Sequence, residues 1–468
     1  MDDALRYASA VDLRGWYSSG QLTPTWYTRA VLHLLDRTEP SLHAFLTVTA
    51  DLALAQATEA ERLIRADGDR AWDERPLLGV PVSLKDLMPT AGIRTTRGSL
   101  RHAGWIPERD APAVARLREA GAVLIGKTTT SEFGWSAGTV NRLAPPAANP
   151  WDPTRSAGGS SGGAAAATAA GVGVAALGTD GAGSIRIPAA FCGVVGFKPT
   201  FGRVPYVPLS PEGLSHVGPL ARDVATAELV TRVIAGSHPD DPLSTGVSAD
   251  RLVPDGSVRV AWLLWDSPVV GGPASTVAIE AESVARSAVG ALGDVVEVDV
   301  TFPDPYPHLV TILAAFEAAG QRSEDDELSD PYRVRVVAHG RGLSAADLAR
   351  ALTGRLLLTG CLDRLMERFD ILAMPTVWTE PFPVDAWRPD PAARPDDLAW
   401  LAWCRAAYPF NLTGQPAVSV PAGFTTAGFP VGLQLVGRRH EDALVLRVAG
   451  DIERARPWRQ YYSRKDQP

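Results

Sequence analysis

The chain has 468 residues, 46% of them apolar and 21% charged, with a formal net charge of −8. This is the composition of an ordinary globular protein with ample core, about two to four domains on length alone or one large α/β unit. An acidic total without a Lys/Arg cluster argues against a nucleic-acid partner. No apolar run reaches the ~18 residues of a membrane span, and the acidic opening MDDALRYASAVDLRGW lacks the apolar core of a signal peptide. Cys192, Cys361 and Cys404 are odd in number and far apart. They suggest neither a disulfide framework nor a metal site, and they point to a reducing, cytoplasmic setting.

Residues 9–18 and 23–38 place Leu, Val and Trp at helical spacing, with Pro24 suited to a first helical position. Residues 41–67 read as a third, alanine-rich helix. The run LLGVPVSLKD at 77–86 reads as a short buried strand ending in charge. A lysine there ordinarily snorkels out to water. A helix is expected at 111–120 and a strand at 122–125. Residues 121–128 match the P-loop pattern letter by letter, yet the four central residues, Ala-Val-Leu-Ile, would themselves be the strand. A P-loop strand precedes its first glycine, so nucleotide binding is rejected.

After a proline-rich loop at 141–148, the stretch 149–200 organises the chain. Its GGSSGG alone would suggest a flexible linker. Here it runs straight into an alanine helix at 164–170 and an apolar strand at 172–177, and a second small-residue turn follows at 179–184. Beyond residue 200, Gly- and Pro-rich loops precede a helix at 223–235 and an irregular polar segment at 236–256. Strands are expected at 258–264, 295–300 and 371–376, and helices at 275–292, 309–319 and 345–369. Residues 377–407 read as a Trp- and Pro-rich loop with one helix. Strands close 409–421 and fill 431–437, and a final helix spans 441–453. The alternation predicts an α/β fold, a central twisted mixed β-sheet covered by helices on both faces.

Three serines compete as nucleophile: Ser160, Ser161 and Ser184. A serine hydroxyl needs a base to take its proton. Residues 158–162 also fit the G-x-S-x-G elbow, which requires a strand immediately before it and a late histidine. Two prolines in 149–157 argue against that strand, which leaves His339 and His440 as partners in a minor reading. The remaining histidines stand in ordinary polar or loop contexts and receive no role.

GGSSGG at 158–163, GTDGAGSIRIP at 178–188 and GFKPT at 196–200 together resemble the amidase signature family. GVPVSLKD at 79–86, FNLTGQPAVSVPAGF at 410–424 and PVGLQLVGR at 430–438 extend the resemblance, which is weakest over 236–403. The resemblance implies one domain over 1–468: N-terminal helices to residue 70, a signature core at about 75–205, and a variable pocket-shaping part at about 236–403. It also implies a Ser–cisSer–Lys triad: Ser184 attacks, Ser160 bridges after a cis peptide, and Lys85 is the base. The residues agree chemically, because a lysine base must be neutral and burial lowers its pKa. The backbone N–H groups of Gly181, Ala182, Gly183 and Ser184 are the implied oxyanion hole, with Ala182 standing where the family has glycine. Ser161, Asp180 and Arg186 are implied supports, although Asp180 and Arg186 read equally well as a structural ion pair. No metal or organic cofactor is implied. The implied partners are a small-molecule amide or carbamate and water, and a homodimer stays open.

Residues 136–148 and 378–410 are rich in Pro, Ala, Trp and Phe and short of positive charge. They suggest a neutral hydrophobic substrate: an aryl amide, anilide or aryl carbamate, with aryl acylamidase, urethanase or esterase activity. Two alternatives remain. One is the glutaminase-type subunit of a tRNA-dependent amidotransferase; the other is an α/β-hydrolase esterase.

Overall fold

The computed structural model describes residues 1–246, 258–264, 276–299, 304–389 and 398–464. An eleven-stranded mixed sheet runs through it, with strands β1 (Phe45–Val48), β2 (Pro81–Lys85), β3 (Val123–Thr128), β4 (Ala175–Asp180), β5 (Val195–Lys198), β6 (His216–Ala221), β7 (Val260–Leu264), β8 (Val295–Asp299), β9 (Ile371–Pro375), β10 (Ala417–Phe424) and β11 (Pro430–Val436). Their spatial order is β1-β3-β2-β4-β6-β5-β10-β11-β9-β7-β8. β2 pairs in parallel with β3 and β4, and β7 with β8 and β9. The pairs around β6, β10 and β11 are antiparallel. Helices flank the sheet, as the alternating pattern predicts. Among the described residues no helix is long and apolar enough to cross a membrane.

Local signals set many of the helix starts. Ser9 and Asp12 form a reciprocal capping box ahead of the Ala10–Ser18 helix, and Thr23 caps the Pro24–Leu42 helix with proline in its first turn. Ser344 and Asp347 cap the Ala345–Met366 helix in the same way. The expected helix over 41–67 is corrected. Leu42 ends one helix, His43 turns left-handed at φ 48°, and the Glu39 carboxylate accepts the Ala44 and Phe45 N–H groups at 3.1 and 3.0 Å. This redirects Phe45–Val48 into β1, and the next helix begins at Ala50.

β5 and β6, the Pro331–Arg341 helix and the Arg459–Arg464 helix were not expected. The helix at Asp442–Ala455 is therefore not the last. The expected helix within 377–407 is only the short 3₁₀ turn Ala402–Cys404 among the described residues; 390–397 lie outside them, as do 247–256 of the irregular segment. The rejected P-loop is a strand at Val123–Thr128. There Lys127 is buried and donates to Met88 O and Thr95 Oγ1, both at 2.7 Å.

Candidate active site

β2 and β4 lie side by side and end at Lys85 and Asp180. Every residue of both strands is buried, so the terminal lysine cannot snorkel out. Lys85 is fully buried, with Nζ 2.7 Å from Ser160 Oγ, 2.9 Å from Thr179 Oγ1 and 3.4 Å from Thr179 O. Burial drives its pKa well below the ordinary lysine value, and only the charge of Asp180 opposes that shift. Removing an ammonium from water without bonding it to a carboxylate favours the neutral amine.

Ser160 follows a cis Gly159–Ser160 peptide. Gly159 has no room for a side chain, since a Cβ would meet the Gly138 carbonyl carbon at 2.7 Å. Thr139 Oγ1 donates to Gly158 O at 2.8 Å and lies 3.3 Å from Ser160 O, holding the loop just ahead of the Gly162–Ala169 helix. Ser161 points the other way. Its Oγ donates to Thr179 O at 3.1 Å and accepts the Thr179 N–H at 3.3 Å, while its own N–H donates to Ser184 O at 3.2 Å. It stitches the two glycine-rich loops to β4.

Ser184 precedes the Arg186–Cys192 helix and lines the same cavity as Ser160. Its hydroxyl makes no hydrogen bond among the described residues. Asp180 and Arg186 are fully buried behind it. Arg186 donates to Asp180 Oδ2 at 2.9 Å and Oδ1 at 3.0 Å, and to Asn411 Oδ1, Ala407 O and Gln434 Oε1 at 2.6, 2.8 and 2.8 Å. Burial alone would raise the Asp180 pKa, but Arg186 overrides it and holds the carboxyl far below the usual range. The pair faces β11 and the 407–411 segment, not the cavity, which is the geometry of a structural hub.

That hub engages one of the four N–H groups expected in the oxyanion hole. The Gly183 N–H donates to Asp180 Oδ1 at 2.7 Å, and its φ is +116° with the Cβ position filled by Ala407 Cβ at 2.6 Å. That N–H is thus engaged by the carboxylate, and Gly183 is not among the residues that line the cavity. Gly181, Ala182 and Ser184 line the cavity instead, and their N–H groups have no protein acceptor among the described residues. The reading of the histidines is corrected for His216. It is buried on β6, with Nδ1 3.1 Å from Asp180 O and Nε2 3.3 Å from the buried Lys198 Nζ.

The cavity has a volume of about 600 Å³. Phe133, Trp135, Phe316 and Trp400 give it aromatic walls, and Arg97, Arg101 and Arg333 also line it. This overturns the expectation of a pocket short of positive charge. Of the two segments named for the pocket, only Ser136, Trp400 and Leu401 line it among the described residues. Loops elsewhere in the chain and two helices, Tyr306–Gly320 and Pro331–Arg341, supply the rest, a tertiary effect that local composition does not register. Trp403 instead stacks on Phe191 at 6.1 Å, and Trp387 packs on Trp135 at 5.7 Å. His339 and His440 are not among the lining residues.

A family model described as Amidase matches residues 27–446. The chain belongs to the amidase signature family. The family's chemistry is amide hydrolysis, and this member is similar along nearly its whole length to an acylamidase of Rhodococcus erythropolis, 35% identical and covering 97% of this chain and 96% of the relative. It is also similar to a glutamyl-tRNA(Gln) amidotransferase subunit of Roseiflexus sp. (strain RS-1), 37% identical over 96% of each. Among solved structures it resembles a bacterial aryl acylamidase (TM-score 0.88, 26% identity, 99% of each chain) and a 6-aminohexanoate cyclic dimer hydrolase (TM-score 0.86, 28%, covering 97% of this chain and 98% of that one).

Sequence reasoning passed over several residues of this amidase site. Thr179, Asn411 and Gln434 stand inside the motifs already quoted, so polar residues within those motifs were the available signal. Arg97 and Phe133 had none, because only folding brings 97 and 133 together.

Proposed function

We propose that this amidase-signature hydrolase cleaves a carboxylic amide C–N bond through an acyl-enzyme on Ser184, with Ser160 as proton bridge and Lys85 as base. The observation that carries the reading is the buried Lys85 amine, 2.7 Å from Ser160 Oγ in a cavity that Ser184 also lines. Ser184 Oγ attacks the carbonyl carbon and passes its proton to Ser160, whose own proton goes to Lys85 Nζ. The tetrahedral oxyanion accepts from the N–H groups of Gly181, Ala182 and Ser184, each donor worth roughly 3 kcal/mol. The relay then reverses to protonate the leaving amine, and water releases the acid by the same route. Ser161, Asp180 and Arg186 keep the two loops in register.

The aromatic walls favour aryl amides, anilides or aryl carbamates, with urethanase and esterase turnover as side activities of the same acyl-enzyme. The same reading takes 1–468 as one domain and, from three free cysteines, a cytoplasmic setting. A crystal structure after treatment with a phosphonate or sulfonyl fluoride should show a covalent bond to Ser184 Oγ. A bond to Ser160, or no adduct in an active preparation, would defeat the assignment. The 37% identity to an amidotransferase component favours a second reading, a glutaminase working within a complex. Robust glutamine hydrolysis together with weak anilide turnover would select it.

A further inference from the structure

Two of the three cavity arginines are already engaged. Arg101 pairs with Asp325 at 3.0 Å. Arg333 pairs with Glu317 at 2.5 Å and donates to Gln321 Oε1 at 3.0 Å. Arg97 differs: among the described residues its side chain has no hydrogen-bond acceptor and no carboxylate partner, while its Nε, like that of Arg333, is buried unpaired. Its guanidinium lies 5.1 Å from the centre of the Phe133 ring.

The backbone holds this side chain in place. Arg97 has φ +56°, uncommon for a residue other than glycine. Its N–H donates to Asp86 O and its C=O accepts from Phe133 N–H, both at 2.9 Å. Phe133 is itself left-handed at φ +49°. Such conformations persist where the surroundings enforce them, often at binding sites.

The charge around Arg97 is unbalanced. Tyr206 and Glu317 favour its cation, while Arg333 and Arg101 oppose it, and Glu317 is already bonded to Arg333. Burial itself lowers the Arg97 pKa, the sign of an under-solvated cation. The ring face compensates only partly. On the same wall, His102 Nδ1 is also buried without a partner, and its ring meets Phe133 edge-on at 5.7 Å. An anion would supply the acceptor that the Arg97 guanidinium lacks.

The position relative to the nucleophilic site is set by Phe133 and Gly134. A Cβ placed on Gly134 would lie 3.2 Å from Ser160 Oγ, so one residue pair spans from the guanidinium to the bridging serine. We propose that Arg97 is a substrate anchor that takes a carboxylate carried on the amide, about one aromatic ring away from the scissile bond. The substrate class is then an acylated aromatic amino acid of the aminobenzoate type, not a neutral anilide. This deepens the amide-hydrolase reading and rests on it.

The test compares kcat/KM for 3- and 4-acetamidobenzoate with that for neutral 4-methylacetanilide, in the wild type, Arg97→Met and Arg97→Lys. The wild type should prefer a carboxylate substrate at least tenfold. Arg97→Met should collapse that ratio to near one, mainly through KM, and Arg97→Lys should restore part of it. A wild-type preference for the neutral anilide, or a ratio that Arg97→Met leaves unchanged, overturns the anchor. Calorimetry on Ser184→Ala reads the anchor without turnover: 4-acetamidobenzoate should bind at least tenfold more weakly when Arg97→Met is added. If the wild type hydrolyses no amide while this Arg97-dependent binding is seen, the hydrolase reading fails and the anchor stands. If amides are hydrolysed and the binding does not depend on Arg97, the anchor fails alone.

Discussion

Replacing Lys85 by methionine removes the amine while keeping a side chain of similar length in a fully buried slot. If Lys85 is the base, kcat/KM should fall roughly 10²- to 10⁴-fold, the usual contribution of a positioned general base. At 1.36 kcal/mol per tenfold, that is about 3–5 kcal/mol of lost transition-state stabilisation. Stability should respond far less. The amine's contacts are with Ser160 Oγ, Thr179 Oγ1 and Thr179 O, each worth about 1 kcal/mol net. Ser160 lines the cavity, where water can replace the lost partner, and the desolvated amine is itself removed. Urea titration should therefore register a change of only about 1–2 kcal/mol. The sharper signature is the double variant Lys85→Met/Ser160→Ala. Two members of one relay fail together, so its rate should match the worse single variant. The assay is initial-rate hydrolysis of an anilide, with circular dichroism to check folding. Retention of more than about a tenth of the activity, or losses that multiply, would refute the relay.

The remaining expectations concern pH and the groups behind the site. Because only the neutral amine accepts a proton and burial depresses the Lys85 pKa, kcat/KM should rise with pH as Lys85 deprotonates and then level off; a profile that falls over that range contradicts it. Arg186→Met strands the Asp180 carboxylate in the interior and should cost about 3–5 kcal/mol in urea unfolding. Adding Asp180→Asn should recover at least about 1 kcal/mol, and a double variant no more stable than the single would argue against a structural pair. Glu453 accepts the Val224 N–H at 3.0 Å, and burial pushes its carboxyl up to about 7. A folded pKa above the unfolded one places the stability penalty at high pH: it grows as pH rises past the unfolded value and is complete above about 7. Glu453→Gln should therefore raise stability at pH 8 by about 1–2 kcal/mol, discounted for partial exposure, and change little below the unfolded carboxylate range. Equal or lower stability of the variant at pH 8 would contradict the shift.

What sequence determined by itself was whatever short-range chemistry demands. Small residues at 158–163 and 178–184 mark tight loops feeding helices, capping signals at Ser9, Thr23 and Ser344 set helix starts, and the motifs name Lys85, Ser160 and Ser184. Where local signals were weak, the reading failed. β6 carries Gly218 and Pro219, which look like punctuation, yet Pro219 sits opposite Leu177 within the sheet. The Pro331–Arg341 helix has little apolar periodicity, although Asp330 caps it by accepting the Tyr332 and Arg333 N–H groups. Only tertiary structure decided that Lys85 is sealed from water and that the Gly183 N–H serves Asp180. It also decided that Arg97 meets Phe133 with no counter-ion among the described residues. Burial, pairing and unpaired charge depend on which distant segments fold onto a residue, and a side chain's pKa and bonding follow from those neighbours rather than from its position along the chain.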